Sequence, residues 1–346
     1  PSGTRADGWH GGDGVQQRCV DTDDCVPVPP GGEYVTFALD IADGSEFQLV
    51  TIGEAAEVFQ HRGTTITSLG IIEPGVPYVG TANDFDEFRS SAAIYGTASD
   101  GGGTHAMAPV SMKGRTFSFG NSRRNPVGIW IRALTAEATC TVTSSVGVEE
   151  LAAIAAGSGL LKSISGASGN SKACSLECTA DVVIAVGKPG ETDYMPIPPV
   201  GTSFYGAAST VLVLSAVDAV TVTETCSDGS TKTFTVAGGP NGAVRQGGYS
   251  SHYNGKGCLY TADAPFFAHA LGDGDGGDAT PFLPASLMTN MFVAPVAYQF
   301  VAFVSASAGS CTVDGATVQL VGEGGVFKGK TAAGAHATGG GGAASV

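Results

Sequence analysis

The stretch "TVLVLSAVDAVTVTETCSDGSTKTFTVAGG", residues 210–239, decides the fold prediction for this chain. Apolar residues fill both faces of residues 211–215, and valine then alternates with threonine over residues 220–225. A two-residue period of this kind is typical of β-strands. Residues 227–230, Ser-Asp-Gly-Ser, have the composition of a hairpin turn. The stretch therefore predicts consecutive antiparallel strands.

The same pattern recurs near the beginning of the chain. Residues 33–53, "EYVTFALDIADGSEFQLVTIG", place two alternating segments around Asp43 and Gly44. The composition agrees, because 42% of the residues are hydrophobic, only 14% are charged and 52 of 346 are glycine. Short strands joined by Gly, Pro and Asp turns are typical of β-sandwiches. We predict an all-β fold of jelly-roll-like sandwiches.

One segment departs from this pattern. Residues 148–164, "VEELAAIAAGSGLLKSI", place two glutamates before an alanine-rich run that reaches Gly157. Acidic residues in a first turn and glycine at an end are helix signals. We predict a short linker helix here.

Two parts of the chain resemble each other. "DGGGTHAMAPVSM" (100–112) matches "DGGDATPFLPASL" (275–287), and "GIWIRALTAEATCTV" (128–142) matches "QFVAFVSASAGSCTV" (299–313). These anchors occur in the same order, which predicts a tandem duplication of two sandwiches. The predicted divisions are an N-terminal Cys/Pro arm (1–30), a first sandwich (31–146), a linker (147–173), a second sandwich (174–322) and a Gly-rich tail (323–346).

Charge and cysteine content restrict the partners and the compartment. The net charge of −15 disfavours nucleic acid as a partner, and the chain lacks an apolar run long enough for membrane insertion. Eight cysteines predict disulfides in an oxidising compartment, with an extracellular or virion-surface location.

The positions of the cysteines predict one specific bridge. Cys226 and Cys258 flank one hairpin-rich segment and should pair with each other. Cys140 and Cys311 should use equivalent partners in two clusters, which are Cys19 with Cys25 and Cys174 with Cys178. This arrangement leaves one cysteine over in each cluster.

Residues 201–284 resemble a known type of repeat. The strand "TVLVLSAVDAVTVT" is followed by "FTVAGG", the Gly/Tyr-rich "GGYSSHYNGKG" and "LYTADAPFFAHA". This order resembles the N-terminal repeats of IgGFc-binding-protein-like surface proteins. The resemblance implies an extracellular β-rich module in adhesion or surface display. The segment from "GYSSHYNGKG" to "PFLP" also resembles virion proteins of marine tailed phages.

A glycine-rich acidic segment is the main candidate for metal binding. Asp273, Asp275 and Asp278 lie in "HALGDGDGGDATPFLP", residues 269–284. Calcium loops use closely spaced aspartates, but the glutamate that closes such a loop does not follow here. We interpret the segment first as a turn, since Asp-Gly is common turn chemistry. Calcium is then the one candidate cofactor, and otherwise we predict none.

Histidines and carboxylates elsewhere in the chain are candidates for catalysis. His105 and His269 lie near the two Asp-Gly segments, but the chain lacks the Gly-x-Ser-x-Gly elbow of a hydrolase, so we predict ordinary loop histidines. Glycoside hydrolysis needs two carboxylates that meet in space. Asp84, Asp86 and Glu87 are the densest group, and we interpret them as a solvated charged turn.

Several aromatic residues bear on ligand binding. Trp130 lies in an apolar strand, which predicts a core position. Tyr249, Tyr253 and Asn254 lie in a Gly/Ser loop, where they either stack on and hydrogen-bond a ligand such as a sugar or pack on the loop itself. Tyr260, a little farther on, is a further candidate for stacking.

The sequence carries no recognisable catalytic motif, and we predict a protein that is not an enzyme. The expected function is that of a structural or display subunit of an extracellular filament or virion appendage, with copies of itself as partners. The alternative is a carbohydrate-binding adhesin, assisted by calcium, that recognises host or cell-surface glycans. We also expect residues 323–346 to contact a neighbouring subunit.

Overall fold

The fold is described from a computed structural model of the chain. The described residues are 9–12, 15–19, 25–28, 34–39, 41, 43–99, 104–120, 127–166, 169, 171–187, 195–207, 211–247, 257–271, 279–284, 287, 291–293, 301–305, 309–313, 316–320, 325–329, 336–340 and 344–345. In residues 9–28, and in residues 291–345 apart from Ser310, only the backbone is described.

The described chain is all-β, which confirms the predicted fold class. The named strand pairs are all antiparallel. The named helical elements are two single 3-10 turns, η1 (Val110–Met112) and η2 (Gly239–Asn241), and Leu287 is also in 3-10 conformation. A small sheet comes first, formed by β1 (Trp9–Gly12), β2 (Val15–Cys19) and β3 (Cys25–Val28).

Residues 34–109 form a first sandwich, which we call unit 1. Its strands are β4 (Tyr34–Phe37), β5 (Ser45–Thr51), β6 (Ala56–Arg62), β7 (Thr65–Ile72), β8 (Tyr78–Ala82), β9 (Glu87–Ser90), β10 (Ile94–Ser99), β11 (Thr104–Ala106) and β12 (Ala108–Pro109). One sheet has the order β12-β4-β9-β6-β7 and the other β11-β10-β5-β8. Between them lies an apolar core that includes Phe47, Leu49 and Phe88.

Residues 114–197 form unit 2. Its strands are β13 (Gly114–Gly120), β14 (Val127–Ala133), β15 (Cys140–Ser144), β16 (Gly147–Glu150), β17 (Gly159–Ile164), β18 (Ala173–Gly187) and β19 (Met195–Ile197). The long strand β18 belongs to both layers. Its first half pairs with β13 and β15, and its second half pairs with β14 and β19.

Residues 201–284 form unit 3 on the same plan. Its strands are β20 (Gly201–Ala207), β21 (Val211–Ser215), β22 (Val220–Cys226), β23 (Thr231–Val236), β24 (Val244–Gly247), β25 (Gly257–Leu271), β26 (Ala279–Pro281) and β27 (Leu283–Pro284). The first half of β25 pairs with β20 and β22, and the second half with β21 and β26.

Residues 291–345 repeat most of the plan as unit 4. Its strands are β28 (Met291–Val293), β29 (Val301–Ser305), β30 (Gly309–Val313), β31 (Ala316–Leu320), β32 (Gly325–Gly329), β33 (His336–Gly340) and β34 (Ala344–Ser345). The predicted tail thus supplies strands that pair within the same chain, since β32 and β34 pair with β29, and β33 pairs with β28 and β30. Contact with a neighbouring subunit stays a prediction.

The four units share one strand order. In each, sheet I holds the first, third and fourth strands with the first half of the sixth, and sheet II holds the second and fifth strands with the second half of the sixth. The sixth strand is divided into β9 and β10 in unit 1, and into β33 and β34 in unit 4. Even the register shift recurs, between Gly114 and Thr116 in unit 2 and between Gly201 and Ser203 in unit 3.

This pairing divides the chain differently from the predicted boundaries. Strands on both sides of the predicted linker, β15 and β18, lie side by side in one sheet, with Cys140 opposite Cys178. The predicted first sandwich therefore contains unit 1 and half of unit 2. The tandem repeat itself is present, but its period is about half of that predicted.

The predicted linker helix is wrong. Within residues 148–164 the chain forms most of β16, an isolated bridge between Ala138 and Ile154, and β17. Leu151 and Ile154 are buried in the core of unit 2, whereas the glutamates lie on the exposed edge strand. The alanines do not provide the apolar stripe that a helix needs for packing.

Two disulfides occur in the described residues, and each joins the third strand of a unit to the sixth. Cys226 bonds to Cys258 in unit 3, which confirms the predicted pair, and Cys140 bonds to Cys178 in unit 2. Cys174 is a free, buried thiol, so its prediction as a disulfide residue is wrong. Burial raises its pKa to about 12.

The remaining cysteines are described only by their backbone. Cys19 and Cys25 face each other on β2 and β3, and Cys311 faces Gly339 on β30 and β33. The predicted pairing of Cys140 within the Cys19/Cys25 cluster, and of Cys311 within the Cys174/Cys178 cluster, is nevertheless wrong. Cys140 bonds to Cys178, and Cys174 is a free thiol.

Cys174 occupies the position that Cys258 holds in unit 3. The register that pairs Thr143 with Ser175 places Ser144 opposite Cys174 when it is continued by one residue. We therefore expect Ser144→Cys to form a second disulfide in unit 2 and to raise the free energy of unfolding by about 2 kcal/mol. Non-reducing peptide mapping and chemical denaturation measure this, with Ser144→Ala as control. A thiol at Cys174 that still alkylates after oxidation would contradict the alignment of units 2 and 3.

Candidate functional site

The units are packed face to face in series. The outer face of sheet I in unit 1 lies on the outer face of sheet II in unit 2, and we call this contact junction 1–2. Its apolar part consists of Phe37, Leu39, Ala108, Trp130, Val183 and Ala185. On β14, Ile129 and Ile131 point into the core of unit 2 while Trp130 points into the junction. This two-sided burial explains why the strand is apolar throughout.

The turn before β9 fits closely into this junction. Phe85 has a φ of 66°, in the left-handed region that non-glycine residues rarely adopt. Its N–H donates to the Ala38 carbonyl at 2.8 Å, and its ring lies over Gly159 of unit 2, where a Cβ would be 2.1 Å away. Next to it, Trp130 Nε1 donates to Asp84 Oδ2 at 3.1 Å.

A buried ion pair crosses the same junction. Arg132 Nη2 of unit 2 lies 3.2 Å from Glu87 Oε2 of unit 1, and Arg89 pairs with the other carboxylate oxygen. Burial acts to raise the pKa of the Glu87 carboxyl, but the charges of Arg89 and Arg132 outweigh it, so the pKa is held below its ordinary value. Glu87 therefore stays ionised, and a carboxylate held in this way is poorly suited to donate a proton.

Asp86 is also buried, beside the junction. It accepts hydrogen bonds from Arg62 Nη2 at 3.0 Å, Gln60 Nε2 at 2.8 Å and the backbone N–H of Asn83 at 2.8 Å. The prediction of a solvated charged turn is therefore wrong for Asp86 and Glu87, which are 2% and 5% exposed. Asp86 therefore fixes the turn within unit 1, and Glu87 joins units 1 and 2.

Junction 2–3 repeats the arrangement between units 2 and 3. A Cβ added to Gly120 of β13 would lie 3.0 Å from the Ala243 Cβ and 3.4 Å from the Ser215 Cβ. The backbone N–H of Ala243 donates to the Ser171 carbonyl at 3.2 Å. The cores of the two units also merge into one apolar cluster. Farther along, β20 and β25 of unit 3 lie against β29 and β32 of unit 4.

His269 lies on the outer face of sheet II in unit 3. It is 2% exposed, its ring stacks on Phe267, and its Nδ1 has no hydrogen-bond partner in the described part of the chain. Burial lowers its pKa to about 3, so the ring is neutral at ordinary pH. The prediction of a loop histidine is wrong for His269, which lies within β25. His105 lies on β11, and its side chain is not described.

The other predicted site residues divide into two groups. Asp273, Asp275, Asp278, Tyr249, Tyr253 and Asn254 lie outside the described residues. Trp130 is buried, which confirms its predicted core position, whereas Tyr260 is completely buried and does not offer a stacking surface to a ligand. The structure therefore supplies no geometry for the predicted calcium or sugar site.

One other cluster has metal-ligating residue types. Glu224, Cys226 and Cys258 place their ligand atoms within 4.8 Å of one another, and all three are buried. The two sulfurs form the disulfide of unit 3, so they are not free as thiolate ligands. The disulfide in this cluster joins β22 to β25 covalently.

Comparisons with known proteins place the chain in no family. No family model and no curated protein matches it. Among solved structures, a tetra-tandem repeat in the extending region of a large adhesion protein is 13% identical over 86% of each chain, with a TM-score of 0.13. A TM-score this low does not relate the two folds. The resemblances to surface repeats and to virion proteins stay predictions.

Two further observations concern the compartment. The disulfides of units 2 and 3 indicate folding in an oxidising environment, such as the cell exterior. Among the described residues, no helix has the length and apolar character needed to cross a bilayer.

Proposed function

We propose that this chain is a structural segment of an extracellular appendage, a filament or a virion fibre, in which sandwiches stacked in series set the spacing of whatever they carry. The face-to-face junction carries this proposal. Sheet I of one unit covers sheet II of the next at junctions 1–2 and 2–3, and strands of units 3 and 4 lie against each other in the same order. A head-to-tail contact of this kind extends in one direction without closing on itself.

The chemistry of the junctions supports a structural function over catalysis. The densest group of ionisable side chains in unit 1 is engaged in ion pairs. Glu87 pairs with Arg89 and Arg132, and Asp86 pairs with Arg62. The pair of Glu87 with Arg132 positions two units, the pair of Asp86 with Arg62 fixes the turn beside them, and both contribute to rigidity. We therefore propose that the protein is not an enzyme.

Small-angle scattering of the purified chain tests the stack. Packed sheets are about 10 Å apart, so the eight sheets of four units give a rod about 80 Å long. In sandwiches strung end to end, four strands of seven residues would alone give about 92 Å, and the turns and flexible connections between them would extend this beyond about 120 Å. A maximum dimension near 80 Å supports the proposal. A broad distribution that extends beyond 120 Å would overturn it.

A further inference from the structure

One polar contact bridges units 2 and 3 at the edge of junction 2–3. Lys172 Nζ donates to Asn241 Oδ1 at 2.5 Å. Lys172 directly precedes β18 of unit 2, and Asn241 is the last residue of η2 in unit 3. Asn241 is exposed and Lys172 is partly buried. A primary amine and a primary carboxamide are therefore held in direct contact between two units.

Backbone hydrogen bonds keep both residues in place. The N–H of Lys172 donates to the Gly169 carbonyl at 3.0 Å, and the N–H of Gly242 donates to the Gly239 carbonyl at 3.2 Å. The bond from Ala243 N–H to the Ser171 carbonyl, at 3.2 Å, ties the two segments together next to the contact. The side chains thus meet at the ends of two fixed backbone segments.

We propose that Lys172 and Asn241 form a covalent isopeptide bond that locks unit 2 to unit 3. Solvent base takes one proton from the Lys172 ammonium at the mildly alkaline pH of the test, and the freed electron pair of Nζ attacks Cγ of Asn241. The Cγ–Nδ2 bond then breaks, and Nδ2 leaves as ammonia with a second proton that Nζ gives up. One ammonia molecule is lost for each bond formed, and the step needs no oxidant, reductant or cofactor.

Proximity is what favours this otherwise slow reaction. Well-oriented groups in one molecule react as if present at about 10⁵ M or more. Because Asn241 is exposed, ammonia has a path to solvent. The competing reaction is attack by the Gly242 nitrogen on the same amide, which ends in hydrolysis to aspartate. The hydrogen bond from Gly242 N–H to Gly239 opposes that attack.

The proposed isopeptide bond depends only on the contact between units 2 and 3. Its absence would therefore leave the proposed structural function intact. Intact protein is kept at mildly alkaline pH, then reduced, digested and analysed by mass spectrometry. We expect a branched peptide that joins Lys172 to Asn241 with a mass about 17 Da below the sum of its parts, the mass of ammonia. Lys172→Arg keeps the charge and the hydrogen bond and should give no branched peptide.

Two results would overturn the proposal. One is an unchanged Asn241 on a linear peptide after prolonged incubation. The other is conversion of Asn241 to aspartate with Lys172 still free, which would show that the Gly242 nitrogen or water reacts first. Asn241→Asp keeps the oxygen that accepts the hydrogen bond, and it serves as the control for a contact that remains non-covalent.

Discussion

Replacing Trp130 by alanine should lower the free energy of unfolding by about 3–5 kcal/mol, the usual cost of removing a large buried aromatic side chain. The side chain is 2% exposed within junction 1–2, and its Nε1 donates to Asp84. Its loss leaves a cavity between two units and removes a hydrogen bond that fixes the turn before β9. Calorimetry of the whole chain measures the effect, and a separate low-temperature transition for unit 1 should appear.

Leu161 provides a matched control for this substitution. It lies directly opposite Trp130 on the neighbouring strand, on the same face of the sheet, but it is 43% exposed. Leu161→Ala should therefore cost less than about 1 kcal/mol. Equal losses for the two variants would mean that Trp130 is not buried between units.

Acid should destabilise the protein through His269. The folded state holds this ring neutral with a pKa of about 3, whereas the unfolded chain binds a proton below the ordinary value of 6.5. The stabilisation is therefore complete above pH 6.5 and is lost as the pH falls towards 3. With 1.36 kcal/mol for each pKa unit, the loss from this residue is about 2 kcal/mol at pH 5 and approaches about 5 kcal/mol near pH 3.

His269→Leu separates this contribution from other titrations. Urea denaturation of both proteins at pH 7.5 and at pH 5 gives the two differences in unfolding free energy. The wild-type protein should lose about 2 kcal/mol more than the variant between these two pH values. The Glu87 carboxyl, whose pKa is held below its ordinary value, does not contribute to this difference. Equal losses in the two proteins would show that His269 is accessible to protons in the folded state.

The fold class could be read from local pattern, but the length of the repeat could not. The sequence match joined Pro109 to Pro284 and Cys140 to Cys311, which are pairs in units 1 and 3 and in units 2 and 4. The sequence similarity therefore relates alternate units, and it is not visible between neighbouring units. Neighbours differ because units 1 and 4 divide the sixth strand that units 2 and 3 keep whole, and because each outer face is fitted to a different partner.

The buried ion pairs were missed for a different reason. Asp86 and Glu87 lie in a segment whose local composition is that of a surface turn, and the arginine that crosses the junction, Arg132, is 45 residues away from Glu87. A single sequence carries no signal that Glu87 and Arg132 lie in contact. A weaker signal did exist in β14, where apolar residues on both faces indicate that a strand is covered on both sides.

The most direct measurement is a cross-link between sheet I of unit 2 and sheet II of unit 3. In a Cys174→Ala background, Gly120→Cys and Ser215→Cys place two Cβ atoms about 3.4 Å apart, close to the separation found in disulfides. If the units stack face to face, mild oxidation should join the two cysteines in the folded protein. Gly120→Cys combined with Thr235→Cys, on the exposed side of β23, should stay reduced. Free thiols at residues 120 and 215 after oxidation would contradict the stack.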